Sequence, residues 1–109
     1  MLKAVLKDKD TTGRFLLNFG DTIVEWYRTS KARQTFLHKR TWQKNLRAFV
    51  HSLDKDDIAF EDIDENFGEE YKLFLKRDQG RIDSYVNHCL LWLNMLMYKA
   101  VDRSIIRFN

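Results

Sequence analysis

The chain of 109 residues has no proline, four glycines and a single cysteine. Proline and glycine punctuate strands and tight turns, so their scarcity argues against an all-β fold and for long helices joined by short polar connections. One thiol cannot form an internal disulfide. Cys89 stands beside Leu90 and Leu91 and reads as a buried thiol, which suits a reducing compartment, so the cytoplasm is the expected location. No apolar run approaches the roughly 18 residues that span a bilayer. The opening Met-Leu-Lys-Ala-Val-Leu-Lys-Asp is too short and too charged for a secretory leader. The expectation is a soluble protein with no membrane partner.

The motifs of common chemistries are missing as well. No glycine-rich phosphate loop is present, which leaves nucleotide hydrolysis without support. His38, His51, His88 and Cys89 show no repeated ligand spacing, so no metal is expected. The acids at Asp54, Asp56, Asp57, Glu61, Asp62 and Asp64 lack the glycine and ligand spacing of a calcium loop. They read as a solvated connector that also repels phosphate. Cys89 follows His88 directly, and neighbours on a helix point about 100° apart, so the two do not form a nucleophile and its base. No catalytic residue, cofactor or small-molecule substrate is expected.

What is present is a divided charge pattern. The net charge of +3 is modest, but residues 26–53 contain no acid, while Arg28, Lys31, Arg33, Lys39, Arg40, Lys44 and Arg47 all fall there. Residues 54–70 are dominated by Asp and Glu. A basic face on such a two-sided molecule is the usual footprint of a polyanion partner.

Apolar spacing predicts four helices. Residues 1–13 lack periodicity and read as a flexible lead-in, ahead of one domain over 14–109. The first helix is expected at 14–29, with Phe15, Leu16, Phe19, Ile23, Trp26 and Tyr27 on one face. The second is expected at 35–53, burying Trp42, Leu46, Phe49, Val50 and Leu53 and turning Arg40, Lys44, Arg47 and His51 directly away. No acid on that helix is available to pair with them. An acidic, extended connector anchored by Ile58, Phe60 and Ile63 should pack over the end of the bundle. A third helix follows at 65–77 with Phe67, Tyr71, Phe74 and Leu75 inward, stopped near Gly80. The last helix, 83–103, carries two adjacent stripes. One is Val86, Leu90, Leu93, Met97 and Ala100, and the other is Tyr85, Cys89, Trp92 and Leu96. A helix so broadly apolar should be central. Trp42 and Trp92 should be largely buried, and Ile105, Ile106 and Phe108 look like the start of an onward connection.

From Phe15 onward this order of features resembles the SAM-like core-binding domain of tyrosine recombinases, the integrases of phages and conjugative transposons. The resemblance rests on Phe15-Leu-Leu-Asn-Phe19, on Thr35 with Leu46 and Phe49, and on Ile58-Ala-Phe-Glu-Asp-Ile63 leading into Phe67, Tyr71, Phe74 and Leu75. The stretch from Gly80 through Leu93, Leu96 and Ala100 to Ile106 and Asn109 completes it. Where such domains often read Gly-x-Ser-x-Asn-Thr before the last helix, this chain has Gly80-Arg-Ile-Asp-Ser-Tyr85, and Lys39 takes a place that is frequently aromatic.

The resemblance implies an all-α, SAM-like bundle of four main helices with an extended acidic connector between helices two and three. It further implies that this domain and a separate catalytic domain clamp double-stranded DNA, in company with other recombinase protomers. The Arg, His and Tyr of strand exchange belong to that other domain. Tyr27, Tyr71, Tyr85 and Tyr98 all sit in helical packing patterns here, so the chain reads as a portion of a longer enzyme. Lys and Arg on a helix can neutralise phosphates while neighbouring side chains reach base edges. The candidate DNA-binding residues are Arg33, Thr35, His38, Lys39, Arg40, Lys44 and Arg47, with Arg81, Asn87 and His88 as a second group. The alternative is a helical protein-interaction module that docks a partner on the acidic connector or the apolar tail.

Overall fold

Apolar residues at steps of three and four open the first helix, and the computed structural model, which describes residues 14–30 and 33–105, sets α1 at Leu16–Thr29. The amides of its first turn need acceptors, and Phe15 at the cap position offers no side-chain oxygen. Asp57 of the connector supplies them. Its carboxylate accepts from the Leu17 amide at 2.8 Å and the Asn18 amide at 3.0 Å, and also from the neighbouring Ile58 amide at 2.7 Å. The Leu16 amide donates to the Ile58 carbonyl at 2.8 Å, and Phe15 forms an isolated antiparallel bridge with Ala59. One acid of the supposedly solvated connector is therefore a helix cap delivered from a distant part of the chain. Asp57→Ala is expected to lower stability by about 1–2 kcal/mol, the usual cost of a lost N-cap, read as a shifted urea midpoint. The same change at the exposed Asp56 should leave the midpoint in place.

Helix α2 runs Arg33–Ser52, starting two residues ahead of the expected Thr35. Leu46, Phe49 and Val50 are buried as their spacing requires. Leu53, expected on the same stripe, is 39% exposed because the helix has already ended and Asp54 turns the chain away with φ of 61°. Trp26 of α1 is 61% exposed for a related reason: the buried part of α1 stops at Ile23, and the Trp26 ring beyond it rests edge-on against Tyr27.

The connector buries Ile58 and Phe60, carries a 3-10 turn at Phe60–Asp62, and leads to α3 at Phe67–Leu73. A single helix was expected over 65–77, but α3 widens into a π turn at Phe74–Asp78. Gly80, at φ +63°, ends it in the left-handed region open to glycine. Helix α4, Asp83–Asp102, packs against all three others and buries Val86, Cys89, Trp92, Leu93, Leu96 and Ala100. The last helix is thus the centre of an all-α bundle. No strand occurs among the described residues, and none of their helices is long and apolar enough to cross a membrane. The expected lead-in at 1–13 and the tail residues Ile106 and Phe108 lie outside the described residues, while Ile105 packs against the core.

Two buried polar residues of α2 were not foreseen. Gln43 reaches both neighbouring helices. Its Nε2 donates to the Leu17 carbonyl at 2.9 Å and to Asp21 Oδ1 at 3.1 Å, and its Oε1 accepts from Trp92 Nε1 at 2.9 Å. Gly20 makes room for it, since a Cβ there would lie 2.4 Å from Gln43 Oε1. Asn45 donates to the Tyr85 hydroxyl at 2.5 Å and fixes that ring at the start of α4.

Candidate nucleic-acid interface

Arg33, Arg40, Lys44 and His51 are all exposed on α2, and at 100° per residue they fall within about 40° of one another on its outward side. Each guanidinium or ammonium of the first three stands clear of any ion pair among the described residues. Arg40 lies over the Phe36 ring at 5.4 Å, which holds its stem along the helix.

Two basic residues expected to bind DNA, Arg47 of the outward face and Lys39, are engaged elsewhere. Arg47 is displaced toward α1, where its guanidinium donates to Asp21 Oδ2 at 2.6 Å and is partly buried. The acid missing from α2 is thus supplied by its neighbour. Lys39 turns inward, its ammonium 5.3 Å from the Tyr27 ring, 4.9 Å from Trp42 and 5.8 Å from Trp92. Three rings from three helices box the cation, an attraction of electron-rich faces for positive charge. Burial, reinforced by nearby Lys99, pushes this ammonium below the ordinary lysine value. Thr35 is partly buried on the inward side of the same helix.

On the flank of α2 that meets α4, the structure unites residues from both candidate groups. Trp42, expected in the core, is only partly buried because it stands at the edge of the α2–α4 contact. The His38 ring stacks with it at 5.8 Å and 25°, and the His88 ring at 5.5 Å and 13°. His88 is fixed a second time, with Nδ1 2.8 Å from the Ser84 carbonyl. Two open hollows adjoin this seam. One, about 350 Å³, is lined by His38, Thr41, Trp42, Tyr85 and His88. The other, about 410 Å³, shares Tyr85 and His88 and adds Gly80, Arg81, Ile82 and Ser84. Arg81 lies over the Tyr85 ring at 4.5 Å. Asn87 is exposed one position round the helix from His88, outside both linings.

Burial raises the Cys89 thiol and, far more strongly, the phenol of Tyr71, whose hydroxyl is enclosed in the core. Neither group is a ready nucleophile at neutral pH. Tyr98, placed by periodicity in the packing, is exposed on α4. Among the described residues no three His, Cys, Asp or Glu side chains converge as a metal site.

Thr41, Trp42 and Tyr85, and in the second hollow Gly80, Ile82 and Ser84, are the lining residues that sequence reasoning missed. The i,i+4 spacing of His38 and Trp42 could have flagged their contact, but nothing in one helix announces the ring that meets Trp42 from another. No curated protein matches the chain, and no solved structure does. The family model of the phage integrase SAM-like domain matches residues 15–109, the whole of α1 to α4, and the chain belongs to that family.

Proposed function

We propose that this chain is the duplex-gripping, core-binding domain of a tyrosine site-specific recombinase, with strand cleavage and joining carried by a separate catalytic domain. Residues 14–109 form the gripping unit and residues 1–13 lead into it. The observation that supports this most is the acid-free line of Arg33, Arg40 and Lys44 on the outward side of α2, in a chain of the integrase family that also presents the His38–Trp42–His88 seam on another side of that helix. A helix fits the major groove of B-DNA, where basic side chains contact phosphates and set the register while other side chains read base edges. Arg33, Arg40 and Lys44 take the phosphates in this reading. His38, Thr41, Arg81 and His88 face the bases. Arg47 and Lys39 serve the bundle instead, and Thr35 and Asn87 lie at the margins. Other protomers bind the same duplex.

Three phosphate contacts, at about 0.9 released counterion each, should give log affinity for duplex DNA a slope of about −2.7 or steeper against log salt. A salt titration of anisotropy with a labelled random-sequence duplex measures it. Binding that ignores salt, or no binding at low salt, overturns the reading. The competing possibility, a protein-docking module, draws on a groove of about 280 Å³ between α2 and the π turn, where Phe49, Leu53, Leu73 and Phe74 meet and Leu73 is 44% exposed. Docking of that kind would be salt-tolerant.

A further inference from the structure

Resting on the duplex-gripping reading, we infer that His88 is a base-reading residue that accepts a hydrogen bond, through Nε2, from an exocyclic amino group in the major groove, N4 of cytosine or N6 of adenine. A carbonyl oxygen can only accept, so the His88 ring nitrogen 2.8 Å from the Ser84 carbonyl carries a proton. In a neutral imidazole the other nitrogen then bears a lone pair and no hydrogen. Nε2 is that nitrogen.

The ring has little freedom to present anything else. Turning it over would put a carbon against the Ser84 carbonyl and lose the hydrogen bond. Tilting it would break the 13° stack on Trp42, a ring that His38 also stacks on. His88 is exposed and lines both hollows of the seam, so the acceptor is both fixed and reachable. A pre-oriented single acceptor discriminates because it spends no rotamer entropy on binding and because the wrong base offers it another acceptor.

The groove code turns this into a specific pattern. Adenine and cytosine present an amino donor in the major groove, whereas guanine presents N7 and O6 and thymine presents O4, all acceptors. His88 thus selects amino bases over keto bases on the strand it touches. Both A·T and G·C pairs satisfy it in one orientation each.

Selection of binders from a randomised duplex library by the full chain, at about pH 8 where imidazoles are ordinarily neutral, tests the assignment. The parent should enrich A and C over G and T at one position of one strand by about fivefold, the worth of one net hydrogen bond. His88→Ala should equalise the four bases there and leave other positions alone, with the bundle still folded because the side chain is exposed. His88→Arg, which only donates, should move the preference to G. Replacing the selected base by purine or 2-pyrimidinone, which lack the amino group, should weaken the parent about fivefold and His88→Ala not at all. A His88-dependent position that favours G or T, or a base profile that His88→Ala leaves intact, overturns the inference while the duplex reading stands. Failure of the parent to retain any duplex removes both.

Discussion

Reversing Arg33, Arg40 and Lys44 to glutamate is expected to weaken duplex binding by more than two orders of magnitude near physiological salt while leaving the bundle folded. Three counterion-releasing contacts contribute a factor of about the salt molarity raised to −2.7, or roughly a hundredfold near 0.15 M, and reversal adds repulsion to that loss. Glutamine at the three positions should show the hundredfold alone, together with a slope shallower by about 2.7. The fold should persist because all three side chains are exposed and unpaired among the described residues, and a glutamate at the first residue of α2 suits the helix dipole. Arg47 is left out of the set. A glutamate there would face Asp21 and lose the 2.6 Å pair, confusing a binding effect with a folding one. Neutralising Asp56 and Glu61, on the connector, should hold or raise affinity. Anisotropy with the same duplex at matched salt decides: a triple glutamate variant that binds like the parent makes the α2 face a solvated surface and brings the protein-docking reading forward.

The choice of those three residues shows what the sequence could and could not disclose. Periodicity reports which side of one helix avoids water, so α1 to α4, the central place of α4 and the stop at Gly80 were all legible. The same logic found Arg40, Lys44 and His51 on the outward side of α2, because they share a helix, but it began that helix at Thr35 and so left Arg33 off the line, and it set Arg47 there although Arg47 turns to α1. It could not find partners that come from elsewhere. Asp57 caps α1 from the connector, Asp21 of α1 neutralises Arg47 of α2, and the box around Lys39 takes one ring from each of three helices. A polar or charged letter in a helix looks solvated until its partner is in view. Hydrophobic letters mislead in the opposite way. Trp26 lies on the correct face of α1 but beyond the length that its neighbours cover, and Trp42 has the right spacing yet stands at a seam. The widening of α3 at Phe74–Asp78 leaves no mark in the pattern, because a π turn shifts the phase by one residue over too short a span to register. For the candidate site, His38 and His88 were both named from sequence, but the Trp42 ring that both stack on, which makes them one surface, needed the packing of α2 on α4.

That packing turns on Gln43, and Gln43→Met is expected to cost about 3 kcal/mol, a large share of the 5–15 kcal/mol typical of domains. Methionine nearly conserves volume and unbranched shape, so the cost isolates the lost polar contacts. Trp92 Nε1, buried at 1% exposure, would keep no acceptor, and the Leu17 carbonyl and Asp21 would lose a shared donor. For a domain near this size the melting temperature should fall by about 15 °C. Gly20 provides the sharper test. Glycine to alanine inside a helix ordinarily stabilises by up to about 1 kcal/mol, but here the new Cβ would meet the Gln43 amide at 2.4 Å and must displace it. Gly20→Ala alone should therefore destabilise. Combined with Gln43→Ala, which empties that space, the same change should stabilise relative to Gln43→Ala by up to about 1 kcal/mol, so its sign reverses with the background. Urea unfolding of the four proteins closes the cycle, and additive effects would mean that the amide does not hold α1, α2 and α4 together. Because Trp92 is also one wall of the Lys39 box, releasing it frees the Lys39 ammonium and unsettles Trp42. The Gln43 variants should accordingly lose base preference at the seam before they lose the salt-dependent grip of the outward line, since the first depends on how α2 meets α4 and the second on α2 alone.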